Sequence, residues 1–248
     1  MKLSNQKVLI TGGSVGIGYS LAKAFHSREN QVVICARRKG PLREAAESLQ
    51  GVHAVQCDVA SEADLHRLVD ETRERLGGLT ILVNNAGLQR NDQYGEADQQ
   101  TVLTHIDEEI GTNLTGLAKL TVLALPLLQE AREAAILNVS SVLAIAPKRS
   151  APIYCATKAA VHSFTKALRY QLEASSPAIS VFEVLPPMVD TAMTAGRGKR
   201  KMSPDELATA VLDNMAVGRL ETRPGFTRTF SLLYRISPAV AHRLLKRR

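Results

Sequence analysis

Two tyrosine–lysine pairs in this chain have a spacing that proton-transfer chemistry could use. One is Tyr154 and Lys158 in YCATK, and the other is Tyr19 and Lys23 in YSLAK. Residues four apart lie on one face of a helix, so a lysine ammonium can stabilise a tyrosinate and lower the tyrosine pKa from its usual value of about 10. Either pair could therefore supply an acid–base group at neutral pH, and spacing alone does not choose between them.

Short apolar runs that alternate with amphipathic stretches indicate the elements that would position such a pair. The runs predict strands at residues 8–10, 31–35, 54–56, 81–83, 135–139 and 179–185. Between them, residues 62–76 have helical periodicity, with Leu65, Leu68 and Leu76 on one side. Strands separated by helices are typical of a parallel sheet buried on both faces. The sequence predicts an α/β fold with a doubly wound, Rossmann-like parallel sheet, forming one domain over residues 1–248.

A glycine-rich turn connects the first predicted strand to the first helix in VLITGGSVGIGYSLAKAF, residues 8–25. Gly12, Gly16 and Gly18 would let the turn adopt positive φ and bring its backbone close to a pyrophosphate at the helix N-terminus. A tight turn without a ligand is the alternative, but the flanking strand and helix favour nucleotide binding. Tyr19 and Lys23 then belong to the helix behind this loop, where we expect them to be structural.

The loop resembles the cofactor loop of the short-chain dehydrogenase/reductase family, on the pattern TG-x-x-x-GIG that begins at Thr11. Two further segments are similar to family motifs: DV at Asp58 and Val59 after the third strand, and NNAG at residues 84–87 after the fourth. A helix N-cap is the alternative role for Asp58, although Ser61 could fill it. The resemblance implies a nicotinamide dinucleotide in contact with Gly12, Ser14, Gly16, Ile17, Gly18, Asp58, Val59, Asn85, Ala86 and Gly87.

The end of the second strand predicts which nicotinamide cofactor is bound. An acid there would accept hydrogen bonds from a ribose 2′-hydroxyl, whereas a cation would neutralise a 2′-phosphate. The acidic position is occupied by Ala36, which is followed by Arg37 and Arg38. Two solvated arginines at a strand end would look the same, but together with the glycine loop they favour NADP(H) over NAD(H).

A catalytic tetrad is implied once Tyr154 is placed in this family. Ser141 stands 13 residues before Tyr154 at a strand end, a spacing similar to that of the family's catalytic serine, and Ser140 is the neighbouring candidate. The Ser141 hydroxyl would stabilise charge on the substrate oxygen. Asn113 in GTNLTG matches the helix asparagine that the family uses to hold a water behind the lysine. Tyr154 would be the acid or base, and Lys158 would lower its pKa and bind the nicotinamide ribose.

The segment after the sixth strand, EVLPPMVDTAM at residues 183–193, is similar to the family's P-G-x-V-x-T segment over the nicotinamide. Pro186, Val189 and Thr191 match, whereas Pro187 replaces the glycine and removes a backbone donor. Together with YCATKAAVHSF, this string resembles the subgroup that includes the oxidoreductase of the D-alanine lipoteichoic acid gene cluster.

Two polar segments interrupt the alternation and would form the substrate site. Residues 88–104 predict a long polar loop, and residues 191–204 predict a flexible basic segment before a helix opened by Ser203 and Pro204. We interpret residues 190–248 as a substrate lid followed by a divergent basic C-terminal segment. The basic run in the lid could attract an acidic substrate or keep a mobile lid in solution. It consists of Arg197, Lys199, Arg200 and Lys201.

The charge of the chain is concentrated at its C-terminal end. The net charge is +7, and residues 197–248 hold 12 Lys/Arg against 4 Asp/Glu. Here Phe226, Phe230, Leu233 and Tyr234 form an apolar helical stripe beside Arg228 and Arg235. Packing on the chain's own domain or on a partner is the favoured interpretation, and contact with an anionic membrane surface is the alternative. With 4% aromatic residues and no nucleic-acid motif, we expect no binding to DNA or RNA.

The cysteines bear on compartment and metal content. Cys35, Cys57 and Cys155 are an odd number without paired spacing, which predicts buried thiols, no disulfide framework and no metal site. With no sequence that resembles a secretory signal, we expect a cytoplasmic protein. The family resemblance implies a homodimer through the helices after Gly111 and Tyr154, and the unusual tail leaves a tetramer open.

These patterns predict an NADP(H)-dependent oxidoreductase, a carbonyl reductase that interconverts a small-molecule carbonyl and an alcohol. A non-catalytic NADP(H)-binding redox sensor or scaffold is the alternative from another class, and an isomerase or dehydratase is the alternative enzyme. The sequence indicates neither the substrate nor the reaction direction.

Overall fold

A computed structural model describes residues 1–198 and 200–246, so Lys199 of the basic run and residues 247–248 lie outside the described part. The strands are β1 (Lys7–Thr11), β2 (Gln31–Ala36), β3 (His53–Gln56), β4 (Ile81–Asn84), β5 (Ala134–Val139), β6 (Ile179–Val184) and β7 (Glu221–Thr222). The α-helices are α1 (Gly16–His26), α2 (Lys39–Ser48), α3 (Glu62–Leu76), α4 (Gln99–Ile110), α5 (Gly116–Gln129), α6 (Pro152–Ser175), α7 (Pro204–Ala216), α8 (Phe226–Ile236) and α9 (Pro238–Lys246).

The strands form one parallel sheet in the order β3-β2-β1-β4-β5-β6-β7. From β1 the chain runs outward through β2 and β3 on one side and then crosses back to β4, which lies on the other side of β1. The boundary between β1 and β4 is the switch point where ligands bind in doubly wound folds. The predicted fold class is therefore confirmed. The prediction missed β7, since two residues paired with the end of β6 are too few to produce a recognisable period.

Helices cover both faces of the sheet and bury two apolar layers. On one face Leu21 and Phe25 of α1 and Leu207 of α7 pack against the central strands. On the other, α3 and α5 pack together, and Leu65 and Leu120 belong to that layer. Burial on both faces explains why the strands contain nearly continuous apolar runs.

The polar segment at residues 88–104 is shorter as a loop than the sequence predicted, because α4 begins at Gln99. The Asp98 carboxylate accepts hydrogen bonds from the Thr101 backbone N–H and hydroxyl, both at 2.8 Å, and so caps the helix. The prediction was wrong for the last six residues because the first turns of α4 are polar and exposed, with no apolar stripe to reveal them.

A π-helical turn, Gly111–Thr115, joins α4 to α5 into one continuous helical segment, Gln99–Gln129. This segment is long and apolar enough to cross a membrane by length and composition alone. Core helices satisfy the same criterion, and Leu120, Leu127 and Leu128 are buried against the sheet layer. This packing accounts for the buried side of α5, whereas Val122 on the same helix is 63% exposed.

The C-terminal helices fold back on the protein itself. Phe230 is 1% exposed and shares a small core with Val142 and Ala146, which follow β5, and with Leu245 of α9. Of the stripe predicted to pack on its own domain or on a partner, Phe230, Leu233 and Tyr234 pack on the chain's own domain, whereas Phe226 is 41% exposed. The predicted opening of α7 is also confirmed, since Ser203 caps the helix in a reciprocal capping box with Glu206.

Candidate active site

A cavity of about 820 Å³ opens at the carboxyl ends of β1, β4, β5 and β6. Because neighbouring strands of a parallel sheet end at the same edge, the segments after them meet there. The cavity brings together most of the residues predicted from the sequence. They are Gly12, Ser14, Gly16, Ile17, Gly18, Asn85, Ala86, Gly87, Ser141, Tyr154, Lys158, Pro186, Val189 and Thr191.

The glycine loop forms a cradle that side chains would fill. Gly12 and Gly16 have φ of +65° and +57°, where only glycine is unstrained. A Cβ at Gly18 would lie 2.2 Å from the Gly12 carbonyl oxygen, and one at Gly16 would lie 3.0 Å from Thr191 Cγ2. The exposed backbone at the start of α1 fits a dinucleotide pyrophosphate, which when bound would place a hydride donor in the cavity.

The NNAG segment is bonded to the end of β1. The Thr11 hydroxyl accepts from the backbone N–H groups of Asn85 and Ala86, both at 3.0 Å. The Asn85 amide in turn donates to the carbonyls of Thr11 at 2.8 Å and Gly12 at 3.2 Å. Although Asn85 lines the cavity, its side-chain donor is engaged in holding the glycine loop. Its contribution to cofactor binding is therefore to position that loop.

Ser141 and Tyr154 meet within the cavity. The Ser141 side chain lies near enough to the Tyr154 hydroxyl to lower the tyrosine pKa, and the Ser141 Oγ accepts a hydrogen bond from the Leu143 backbone N–H at 3.1 Å. The neighbouring Ser140 donates to the Lys158 carbonyl at 3.2 Å instead. Of the two candidate serines, Ser141 thus faces the tyrosine hydroxyl and Ser140 anchors the backbone of α6.

The environment raises the pKa of Tyr154 to about 12 because burial disfavours the phenolate more than the Ser141 hydrogen bond stabilises it. Burial likewise lowers the pKa of Lys158 to about 8, although the charge of Glu183 opposes this shift. Lys158 Nζ donates to the Val139 carbonyl at 2.8 Å and lies 5.7 Å from the centre of the Tyr154 ring. The sequence-based expectation of a lowered tyrosine pKa is not met by the protein's own groups, since desolvation outweighs the lowering effects of Ser141 and Arg197.

Asn113 lies behind the cavity, in the π-helical turn. It is fully buried; its amide donates to the Leu88 carbonyl at 2.9 Å, and its oxygen accepts from the Leu88 N–H at 2.8 Å. The same amide donates to Thr157 on α6 at 3.2 Å. Insertions of this kind recur at functional sites. Here the turn aims Asn113 between the segment after β4 and the helix that carries Tyr154 and Lys158.

The residues predicted to contact the adenosine end lie outside the cavity wall. Arg37 and Arg38 follow β2, and Arg37 lies 3.9 Å from the Asp58 carboxylate. Ser61 caps α3, so the alternative role considered for Asp58, capping this helix, is wrong. Val59 is buried, and a Cβ at Gly116 of α5 would lie 2.2 Å from its carbonyl oxygen.

The second tyrosine–lysine pair is part of the outer surface of α1. The Tyr19 hydroxyl forms a hydrogen bond with Ser48 of α2 at 3.0 Å, and Lys23 forms an ion pair with Asp205 of α7 at 3.1 Å. Neither residue lines the cavity. The structural role expected for this pair is confirmed.

Several further residues line the cavity. Gln89 belongs to residues 88–104, one of the two segments predicted to form the substrate site, whereas Lys148, Phe226 and Leu245 were not predicted to line it. Lys148 lies in the segment after β5, and that position is the only signal that could have indicated it. Arg197 of the basic run also lines the cavity.

The fold and the cavity define a nicotinamide-type oxidoreductase site, and comparison with known proteins identifies the family. The family model for short chain dehydrogenases matches residues 6–202. The chain belongs to the short-chain dehydrogenase family.

Individual relatives agree with this assignment. The chain is 39% identical to the uncharacterized oxidoreductase DltE of Bacillus subtilis, over 89% of this chain and 88% of that protein. It is 31% identical to an uncharacterized oxidoreductase of Staphylococcus aureus, over 85% of this chain and 90% of the relative. The predicted resemblance to the D-alanine lipoteichoic acid cluster oxidoreductase is confirmed.

Two solved structures share the fold. A 3-ketoacyl-(acyl-carrier-protein) reductase from Brucella melitensis, complexed with NADH, has a TM-score of 0.80 and 30% identity over 88% of this chain and 93% of its own. A short chain dehydrogenase/reductase from Burkholderia phymatum, in complex with NAD, has a TM-score of 0.82 at 22% identity, covering 90% of this chain and 89% of its own.

The burial of Lys158 predicts a pH dependence of stability. Its folded pKa of about 8 lies below the value of about 10.4 in an unfolded chain, so over this interval the unfolded state binds more protons and stability rises with pH. Between pH 6.5 and 9.5 we expect the wild-type free energy of unfolding to gain about 2 kcal/mol relative to Lys158→Met, measured by urea denaturation. The exposed Lys39→Met is the control and should keep the gain. Parallel pH profiles for wild type and Lys158→Met would contradict this expectation.

Proposed function

We propose that this short-chain dehydrogenase is an NADP(H)-dependent carbonyl reductase that uses Ser141, Tyr154, Lys158 and Asn113 as a catalytic tetrad. The observation that carries the proposal is that Ser141, Tyr154 and Lys158 line one cavity together with the glycine loop, with Ser141 near enough to Tyr154 to affect its pKa. A substrate oxygen placed between the Ser141 and Tyr154 hydroxyls would accept a hydrogen bond from each.

The residues have complementary roles in this mechanism. The cofactor supplies the hydride when bound. The Ser141 hydroxyl donates to the substrate oxygen and stabilises the negative charge that develops on it. Tyr154 transfers its phenolic proton to that oxygen, which completes the alcohol. Lys158, one turn further along α6, stabilises the resulting phenolate in its protonated form, and Asn113 holds the backbone at Leu88 behind it.

The pKa of Tyr154 favours the reductive direction. A phenol with a pKa of about 12 is fully protonated at neutral pH and ready to donate. Oxidation of an alcohol would begin from the phenolate and would first require that pKa to fall. The positive charge of an oxidised nicotinamide ring, together with a protonated Lys158, would lower the pKa of Tyr154.

The preference for NADP(H) rests on the two arginines after β2. Arg37 is about 61% exposed and its partner Asp58 is 3.9 Å away, so the guanidinium keeps hydrogen-bonding capacity for a 2′-phosphate. The Brucella melitensis relative was solved with NADH. The cofactor preference of this chain is therefore assigned from Ala36, Arg37 and Arg38 and needs a direct test.

Replacing Tyr154 tests the catalytic assignment. Tyr154→Phe removes the proton donor and should lower kcat for reduction of a carbonyl substrate by about hundredfold or more, followed by loss of NADPH absorbance at 340 nm. NADPH binding, measured by calorimetry, should remain.

The matched control for this test is Tyr19→Phe, because Tyr19 has the same spacing to a lysine but bonds to Ser48 on the surface. Its turnover should equal that of wild type. Full turnover by Tyr154→Phe would exclude the tetrad and favour a binding protein or sensor.

Replacing both arginines tests the cofactor assignment. For Arg37→Ala/Arg38→Ala we expect kcat/KM for NADPH to fall by about tenfold to hundredfold while kcat/KM for NADH changes little. Arg43→Ala removes an exposed arginine from the following helix and should leave the ratio unchanged. A wild-type enzyme that turns over NADH faster than NADPH would overturn the preference.

We further propose that the enzyme is a cytoplasmic homodimer that pairs through α5 and α6. The exposed Val122 and Tyr170, about 63% and 68% accessible, give these helices apolar contact surface. The three buried free cysteines fit a reducing compartment. Light scattering should give twice the chain mass of 26.9 kDa, and Val122→Glu should shift it towards the monomer. A monomeric wild type would contradict this assembly.

A further inference from the structure

Two cationic side chains converge in the substrate part of the cavity. Lys148 lies between the segment after β5 and α6, and Arg197 lies in the segment after β6. The Gln89 amide lies 2.7 Å from Lys148 Nζ and 2.9 Å from Arg197 Nη1. When its oxygen faces them it accepts from both, in place of the Gln89 Nε2 donation to Asn91 Oδ1 at 2.7 Å. Three segments that are distant in sequence thus direct one neutral oxygen and two positive charges to the same place.

These charges have no acidic partner in the described part of the chain. None of the ion pairs formed by residues 1–198 and 200–246 includes Lys148 or Arg197. Burial and the Arg197 charge both lower the pKa of Lys148, so both disfavour the charged form of this lysine. A neutral amide oxygen cannot compensate two positive charges, whereas an anion could.

The pair is held beside the reacting group. The Lys148 N–H donates to Cys155 Sγ at 3.4 Å, and Cys155 directly follows Tyr154 on α6. The Arg197 charge acts on the Tyr154 hydroxyl and lowers its pKa against the effect of burial. An anion bound by the pair would therefore lie within one small molecule's length of Tyr154.

The rest of this part of the lining is mainly apolar and contains Leu143, Met188, Met193, Phe226 and Leu245. It also includes the polar Ser150 and Thr194 and a third cation, Arg200. A mainly apolar wall with two convergent cations matches a substrate that has an apolar body and one anionic end.

We propose that Lys148 and Arg197 form a subsite for a carboxylate or phosphate group of the carbonyl substrate, with Gln89 holding the two cations in place. The proposal rests on the function proposed above and specifies its substrate class as anionic, mainly apolar carbonyl compounds. Each cation would donate to an anion oxygen, and the pair would orient the carbonyl towards Tyr154 and Ser141.

Binding can be tested without turnover. The probes are 4-acetylbenzoate and 4-acetylphenyl phosphate, with methyl 4-acetylbenzoate as the uncharged match, titrated by calorimetry into enzyme saturated with NADP+ in chloride-free buffer. Wild type should bind at least one anion about tenfold to hundredfold more tightly than the ester. Whichever anion binds more tightly identifies the group that the subsite prefers.

Variants test whether Lys148 and Arg197 cause the preference for an anion over the ester. Lys148→Gln/Arg197→Gln should remove the difference between anion and ester while leaving NADP+ affinity unchanged. Arg149→Gln, which removes an exposed charge next to Lys148, should retain the difference. Lost NADP+ affinity with an unchanged anion-to-ester ratio would assign the cations to the cofactor and overturn the proposal, as would equal binding of all three probes by wild type.

The proposed reductase function and the proposed anion subsite can be contradicted independently of each other. If Tyr154→Phe keeps full turnover, the tetrad is wrong, but the calorimetric preference for an anion would still stand. If Tyr154→Phe is inactive while wild type binds anion and ester equally, the reductase assignment holds and the subsite does not exist.

Discussion

The contact between the glycine loop and the segment after β4 is the constraint on which the site depends. Thr11 and Asn85 bond the ends of β1 and β4 together, and Gly18 allows the start of α1 to approach the Gly12 carbonyl to a distance that any side chain would prevent. This contact lies at the switch point of the sheet, where the chain departs to opposite sides. The crevice left there is the cavity, so its position follows from strand order and its shape from a few glycines.

Burial determines the protonation states within this crevice. A phenol and an ammonium that are both removed from water lose the solvation that would favour their charged forms, and the pKa values of Tyr154 and Lys158 move in opposite directions as a result. Both shifts favour neutral groups. The protein alone thus holds a proton on Tyr154, and it needs an added positive charge nearby to release it.

Lys148 and Arg197, two cavity cations that form no ion pair within the described residues, are also partly removed from water. Fully exposed lysines and arginines need no partner because water screens them, whereas Lys148 and Arg197 are only partly exposed, line a mainly apolar part of the cavity and lie beside the Gln89 amide. The C-terminal helices contribute to this wall through Phe226 and Leu245. The part of the chain beyond the matched residues 6–202 therefore helps to line the cavity.

Local patterns in the sequence determined the fold class, the glycine loop and the candidate tetrad, because strand and helix periods, glycine spacing and the Ser141–Tyr154–Lys158 order are carried by neighbouring residues. The start of α4 was not predicted, although Asp98 is a recognisable helix-capping residue. Strand β7 was not predicted because it is a two-residue edge strand. Only the tertiary structure decided that burial raises the tyrosine pKa, that Ser140 anchors the backbone of α6, and that Gln89, Lys148 and Arg197 meet. Those features depend on desolvation and on contacts between distant segments, and no local pattern encodes either one.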